Sequence, residues 1–101
     1  MKLLHTATAL CLAAAASTAL AADPNLGRNL AATCANCHGT NGKALEGSGI
    51  DALAGVDKAK ILQKLADFKS GVKPASIMHQ ISKGYTDEQL DLIAAYFAAQ
   101  K

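Results

Sequence analysis

The sequence contains no tryptophan, only four other aromatic residues and no cluster of basic side chains. Nucleic-acid binding relies on clustered cations or on aromatic rings that stack on bases, so both deficits argue against it. Lys and Arg number 10 against 8 Asp and Glu, and the net charge is only +2. Half of the 101 residues are apolar, which together with the small net charge argues against a disordered chain. We therefore expect one small folded domain.

The first 22 residues predict a segment that is removed on export. Lys2 precedes an apolar run from Ala7, and Ala19-Leu20-Ala21 fits the small-x-small pattern of a cleavage site. A retained anchor is the alternative, but the run is short and rich in alanine, whereas a membrane-spanning helix needs ~20 apolar residues. We interpret residues 1–22 as a signal peptide and residues 23–101 as a periplasmic domain without a membrane span.

Two cysteines lie in residues 23–101, and a histidine directly follows the second one. Cys34, Cys37 and His38 form a Cys-x-x-Cys-His pattern, which is typical of covalent c-type haem attachment. Two thiols at this spacing can form thioethers with the two vinyl groups of one porphyrin. The next side chain then lies where an imidazole nitrogen can coordinate the iron. A bound cofactor would also stabilise a domain too short to build more than a marginal core.

Three other interpretations of the two cysteines are less favourable. A disulfide would be ordinary in an oxidising compartment, but the adjacent histidine then has no explanation. A thioredoxin-like pair needs a preceding strand, whereas residues 26–33 have a helical pattern. A zinc site would need His79 as a fourth ligand, and it lies far from His38, unlike the closely spaced histidines of zinc fingers.

Two neighbouring residues compete to be the second axial ligand of the iron. Met78 is the only methionine of residues 23–101, and it lies outside the predicted helices. A methionine is more often a packing residue. As a ligand, however, a thioether favours ferrous iron and raises the reduction potential. His79 would give a lower potential. We favour Met78, and either ligand would close the sixth coordination position.

The periodicity predicts three helices, two intervening loops and no strand. Asp23-Pro24 predicts the start of a first helix that runs into the cysteine motif. Residues 39–55 contain five glycines and predict a loop with one short helical turn. Asp57 begins a second helix that ends at Ser70-Gly71. Residues 72–85 form a second loop, and a capping box at residues 86–89 begins the third helix. The expected core positions are Ile61, Leu62, Leu65, Phe68, Leu90, Ile93, Ala94 and Phe97.

Residues 32–42, around the cysteine motif, resemble class I bacterial cytochromes c. Residues 53–55, 68–71, 77–89 and 94–97 are similar to one branch, the cytochrome subunit of flavocytochrome c sulfide dehydrogenase. The resemblance implies an all-α fold in which three main helices and loops surround one covalently attached haem. It assigns the following site residues: Cys34 and Cys37 attach the haem, His38 and Met78 coordinate the iron, and Ile50 and Leu53 pack on the porphyrin. It also implies close packing of Gly27 against Ile93 and Tyr96.

The sequence departs from these relatives in two places. They often carry a proline after the cysteine motif whose carbonyl accepts a hydrogen bond from the axial histidine. No proline lies near Ser48 or Asp51, so His38 must be oriented by another acceptor. Lys73 stands where relatives have an arginine, and it can neutralise a haem propionate without a two-pronged contact.

These features predict an electron carrier, not an enzyme in its own right, although it could serve as the non-flavin subunit of a sulfide dehydrogenase. We expect it to accept electrons from a flavoprotein or another sulfur-oxidising dehydrogenase and to deliver them to a cytochrome or an oxidase. The alternatives are a free shuttle without a dedicated flavoprotein, and a haem enzyme or sensor with an open sixth position. Lysines of the second helix could guide docking or simply form a solvated face: Lys58, Lys60, Lys64 and Lys69.

Overall fold

The computed structural model describes residues 23–101, so the predicted signal peptide lies outside the described residues. Five α-helices occur in this range: α1 (Leu26–Ala31), α2 (Ala35–His38), α3 (Lys58–Ser70), α4 (Met78–Lys83) and α5 (Asp87–Ala98). Two 3-10 helices, Ala32–Cys34 and Thr40–Gly42, flank α2. No strand occurs between residues 23 and 101, which confirms the all-α prediction. None of the helices in these residues has the length and apolarity that crossing a bilayer would require.

The core lies where α1 and α3 pack against α5. Its buried members are Ala31, Ile61, Leu90, Ile93, Ala94 and Phe97. Four of these six residues belong to α5, so the last helix supplies most of the buried surface. All four were expected from their spacing in the sequence, because residues three and four apart share one face of a helix.

The predicted boundaries of the two long helices are correct. Thr86 and Gln89 form a reciprocal cap at the start of α5, with Gln89 N–H donating to Thr86 Oγ1 (3.1 Å) and Thr86 N–H donating to Gln89 Oε1 (2.9 Å). Asp57 is the N-cap residue of α3, although its side chain makes no capping hydrogen bond. Gly71 ends α3 in the left-handed conformation (φ 84°), as the Ser70-Gly71 signal predicts.

The first helix begins later than its sequence signal indicates. Asp23 was expected to cap it, but Asn25 is the N-cap residue and α1 starts at Leu26. The Asp23 carboxylate instead accepts a hydrogen bond from Asn25 N–H at 2.8 Å. An Asp side chain that bonds the backbone two residues ahead forms a local turn, which competes with a helix start.

The predicted loop from residue 72 to residue 85 was wrong in one part, because it contains α4. Met78 is the first residue of this helix rather than a loop residue. The apolar positions Ile77, Met78 and Ile81 are too few to show a helical period in the sequence. Helices of six residues are not stable alone, so the packing of α4 against α3 decides its conformation.

Gly27 allows α1 to approach α5 closely. A Cβ atom at this position would lie 3.0 Å from the Leu92 carbonyl oxygen and 3.7 Å from Tyr96 Cβ. The expected contact with Tyr96 is therefore present, but the nearest neighbour is the Leu92 backbone and not the Ile93 side chain. The first and last helices cross where a side chain larger than hydrogen would push their backbones apart.

Candidate cofactor site

A cavity of about 710 Å³ lies between the cysteine motif, the glycine-rich loop and helices α3 and α4. This volume falls within the ~300–1,000 Å³ range of small-molecule and cofactor sites. Every side chain that the sequence assigned to a cofactor lines it: Cys34, Cys37, His38, Ile50, Leu53 and Met78. The fold thus brings together residues that are as far apart in the sequence as positions 34 and 78.

The walls of the cavity are mainly apolar. Ile61, Ile93 and Phe97 belong both to the core and to this lining. Ile50 and Ile77 also line it, yet they are 42% and 57% exposed. Apolar side chains concentrated at the mouth of a cavity favour a large apolar occupant that covers them. A porphyrin has this character, and the thiols and imidazole of the lining suit its vinyl groups and iron.

The cysteine pair lies on the short helices that connect α1 to the loop. Cys34 is half-buried and Cys37 is exposed, and neither forms a disulfide within residues 23–101. Burial raises the pKa of the Cys34 thiol, and hydrogen bonding by Thr33 partly offsets this effect. Gly39 ends α2 with φ 83°, and a Cβ atom there would lie 2.0 Å from the Lys43 carbonyl oxygen. Only glycine allows the chain to turn here directly after His38.

The acceptor that replaces the missing proline is the backbone of Asp51. His38 Nδ1 lies 2.6 Å from the Asp51 carbonyl oxygen. A carbonyl can only accept, so Nδ1 carries a proton, and in the neutral ring Nε2 then keeps a free lone pair. A hydrogen bond of this kind fixes the tautomer and the orientation of a metal-binding histidine. The Asp51 carboxylate in turn lies 3.7 Å from Lys64 Nζ of α3, in an exposed ion pair that contributes little to stability.

The two candidates for the second axial ligand differ in position. Met78 lines the cavity, whereas His79 does not. His79 Nδ1 is buried and has no hydrogen-bond partner within residues 23–101. The geometry therefore favours Met78 over His79 as the side chain directed to the cofactor space.

Sequence reasoning missed a hydrogen bond that connects the residue before Cys34 to the chain after α4. The Tyr85 and Thr33 hydroxyl groups lie 2.7 Å apart, and Tyr85 also lines the cavity. Lys69 Nζ donates to the Tyr85 carbonyl at 3.2 Å and pairs with Asp87 at 3.1 Å. No local pattern marks these residues, because the hydroxyl groups belong to positions 52 residues apart.

Lys73 lines the cavity. A residue that neutralises a haem propionate has to be in this position. Its ammonium group also lies 5.2 Å from the centroid of the Phe68 ring, which is within the range of a cation–π contact. Lys73 and Phe68 thus form part of the same wall.

Three of the four lysines considered for docking are paired within the chain. Lys58 lies 2.9 Å from Asp91, Lys64 lies 3.7 Å from Asp51 and Lys69 lies 3.1 Å from Asp87. These ion pairs reduce the positive charge that α3 could present to an acidic partner. The lysines therefore fit a solvated face better than a dedicated docking stripe.

Comparison with known families covers nearly all of the described chain. Residues 25–101 match the sequence profile of the family named cytochrome c. The chain belongs to the cytochrome c family. Membership implies a covalently attached haem c and a role as an electron carrier, and the cavity lined by the Cys-x-x-Cys-His motif is consistent with both.

Curated relatives of this cytochrome include proteins of sulfur metabolism. It is 41% identical over 70% of its length to the cytochrome subunit of sulfide dehydrogenase from Chlorobaculum tepidum, and the match covers 63% of that protein. It is 38% identical over 72% of its length to a thiosulfate dehydrogenase electron acceptor from Stutzerimonas stutzeri, covering 34% of it. It is 35% identical over 80% of its length to cytochrome c4 from Pseudomonas aeruginosa, covering 40%. The match thus spans between about a third and two thirds of these relatives' lengths.

Proposed function

We propose that this cytochrome is a periplasmic one-electron carrier with a single haem. In this proposal residues 1–22 direct export and are removed, Cys34 and Cys37 hold the haem, and His38 and Met78 are its axial ligands. One observation carries the proposal: all four side chains line one cavity of cofactor size. The hydrogen bond from His38 to Asp51 supports it further, because it leaves Nε2 free for a metal.

The side chains around the cavity have separate tasks in this proposal. The haem, when bound, supplies a one-electron couple between ferrous and ferric iron. The Asp51 carbonyl would hold His38 in one orientation, so that this ligand would not have to reorient when the charge of the iron changes. Met78 offers a soft, neutral sulfur that favours the ferrous state and raises the reduction potential.

Two axial ligands would leave no coordination position for oxygen or substrate. An electron-transfer role follows from this closure, since the site would bind nothing beyond the two protein ligands. Ile50 and Leu53 would cover the porphyrin, and Lys73 would neutralise a propionate at the rim. A haem enzyme or sensor would instead need a sixth position that is open or easily displaced.

We propose a sulfur-oxidising dehydrogenase as the electron donor. A sulfide dehydrogenase subunit and a thiosulfate dehydrogenase electron acceptor among the relatives support this direction. The donor would be a flavoprotein, and the acceptor would be a further cytochrome or an oxidase. The competing proposal is a free shuttle that serves several donors.

The ligation is tested by producing the full chain in cells that contain a cytochrome maturation system. We expect the exported protein to begin near Asp23 and to exceed its polypeptide mass by one haem in intact-mass spectrometry. We also expect the ferric protein to show the weak red absorption band of thioether-to-iron coordination. A polypeptide of unchanged mass contradicts haem attachment, and a missing red band contradicts Met78 as the ligand.

The partner is tested separately by purification from the native source. Co-purification of a flavin-containing chain, and reduction of the cytochrome by that chain with sulfide as reductant, would support the dehydrogenase proposal. Elution as a lone monomer that reduces an oxidase without any flavoprotein would favour the free shuttle.

A further inference from the structure

Ser82 is the one polar residue of the described chain that is fully buried. It lies on α4, four residues after Met78, and it is absent from the lining of the cavity. Its hydroxyl group therefore does not reach the cofactor space directly. A buried hydroxyl has to satisfy its hydrogen-bonding capacity inside the protein, and Ser82 does so on the backbone of its own helix.

The Ser82 hydroxyl group forms hydrogen bonds with the backbone of the first turn of α4. Ser82 Oγ donates to the Met78 carbonyl oxygen at 2.7 Å and lies 3.3 Å from the His79 carbonyl oxygen. The repeating bond pattern of an α-helix already directs the Ser82 N–H to the Met78 carbonyl. A carbonyl oxygen has two lone pairs, so the Met78 carbonyl can accept both donors from Ser82.

Apart from main-chain bonds and its packing on α3, helix α4 has no side-chain cap at its beginning. It is only six residues long, and its N-cap residue, Ile77, makes no side-chain capping bond. Helices of this length do not form by themselves in water. The residue that most needs a fixed position, Met78, is nevertheless the first residue of this helix.

We infer that Ser82 is a positioning residue for the axial methionine. Resting on the proposed His38 and Met78 ligation, the inference is that the Ser82 hydroxyl holds the Met78 backbone so that its sulfur stays directed into the cavity. Without the hydroxyl, the first turn of α4 frays more readily and an external ligand displaces Met78 more easily. The fold as a whole changes little, since the Met78 carbonyl keeps its main-chain donor.

The experiment compares S82A with wild type and with S70A in the full, haem-loaded protein. Ser70 makes a similar hydroxyl-to-backbone bond, to the Asp67 carbonyl at 3.3 Å, at the end of α3, and it is exposed. Imidazole is titrated into each ferric protein while loss of the red thioether band is followed. Unfolding of each protein is recorded by far-UV circular dichroism.

We expect imidazole to displace Met78 from S82A at about threefold to tenfold lower concentration than from wild type, which corresponds to one hydrogen bond of ordinary net strength. S70A should titrate as wild type does. A purely structural role would lower the unfolding temperature of S82A without changing the imidazole midpoint at a temperature where every variant is folded. Equal midpoints for S82A and wild type would overturn the inference.

A second pair of variants separates the effect of the hydroxyl group from the change in side-chain volume that S82A makes. S82T and S82V have side chains of the same shape and differ only in whether a hydroxyl or a methyl group is present. Imidazole should displace Met78 from S82V at a lower concentration than from S82T. Equal imidazole midpoints for the two variants would overturn the role of the hydroxyl group. A wild-type protein without the red band would instead contradict the proposed ligation itself.

Discussion

The segments that carry the two proposed axial ligands are held in different ways. His38 ends α2, directly before a glycine that permits the turn, and its ring is tied to a backbone carbonyl thirteen residues further on. Met78 begins a six-residue helix that lacks a side-chain cap and is braced from within by Ser82. The histidine side is thus fixed by contacts with a separate loop, whereas the methionine side depends on a short helix. We therefore expect an external ligand to displace Met78 before His38.

The largest effect should follow from replacing His38. H38A removes the imidazole of the Cys-x-x-Cys-His motif, which is the proposed ligand held by Asp51, so the haem would lose this ligand. Replacing a residue that only hydrogen-bonds to a metal ligand already costs ~10–100-fold in metal affinity or activity. We therefore expect the yield of haem-loaded H38A to fall at least tenfold. Haem content per chain, measured by absorbance after purification, checks this. A normal yield of low-spin haem protein from H38A would contradict the assignment.

Replacing Met78 should leave the haem attached but open its sixth position. M78A should bind imidazole readily, lose the red band and show a reduction potential lower by on the order of 0.1 V, within the roughly 0.8 V span that axial ligands set. Spectroelectrochemistry measures the potential. H79A is the matched control and should behave as wild type does. The opposite pattern in the two variants would make His79 the ligand.

The turn after the histidine is expected to tolerate no side chain. In G39A the new Cβ atom meets the Lys43 carbonyl, and the backbone occupies a region that is almost restricted to glycine (φ 83°, ψ 161°). We expect a loss of about 1–3 kcal/mol of unfolding free energy from strain alone. G71A, whose Cβ would have no neighbour within 4 Å among residues 23–101, should lose only about 1–2 kcal/mol. Denaturant titration of both proteins checks the order, and a smaller loss in G39A would refute it.

The smallest effect is expected from removing the hydrogen bond between Tyr85 and Thr33. Y85F removes the hydroxyl that meets Thr33, and a typical hydrogen bond contributes about 1 kcal/mol net. Thermal unfolding of Y85F, T33V and the double variant gives the coupling between them. If the two losses simply add, the hydroxyl groups do not interact in solution.

Much of the fold follows from local patterns that the sequence displays openly. The Thr86–Gln89 cap and the spacing of Leu90, Ile93 and Phe97 identify α5, because a long amphipathic helix repeats its signal several times. Helix α4 does not, since six residues offer too few apolar positions to establish a period. The start of α1 was misplaced for a related reason: the Asp23 side chain can cap a helix or form a turn, and the residue type does not distinguish the two.

The cofactor class and the proposed attaching residues can be predicted from the sequence alone, because two thiols and an imidazole that would act on one porphyrin are neighbours along the chain. The Asp51 carbonyl as partner of His38, the presence of Met78 but not His79 in the cavity lining, and the bond between Tyr85 and Thr33 are decided only by the tertiary structure. Each depends on how distant backbone segments approach one another. A backbone carbonyl is the same chemical group at every residue, so no side-chain pattern can reveal which one a histidine will meet.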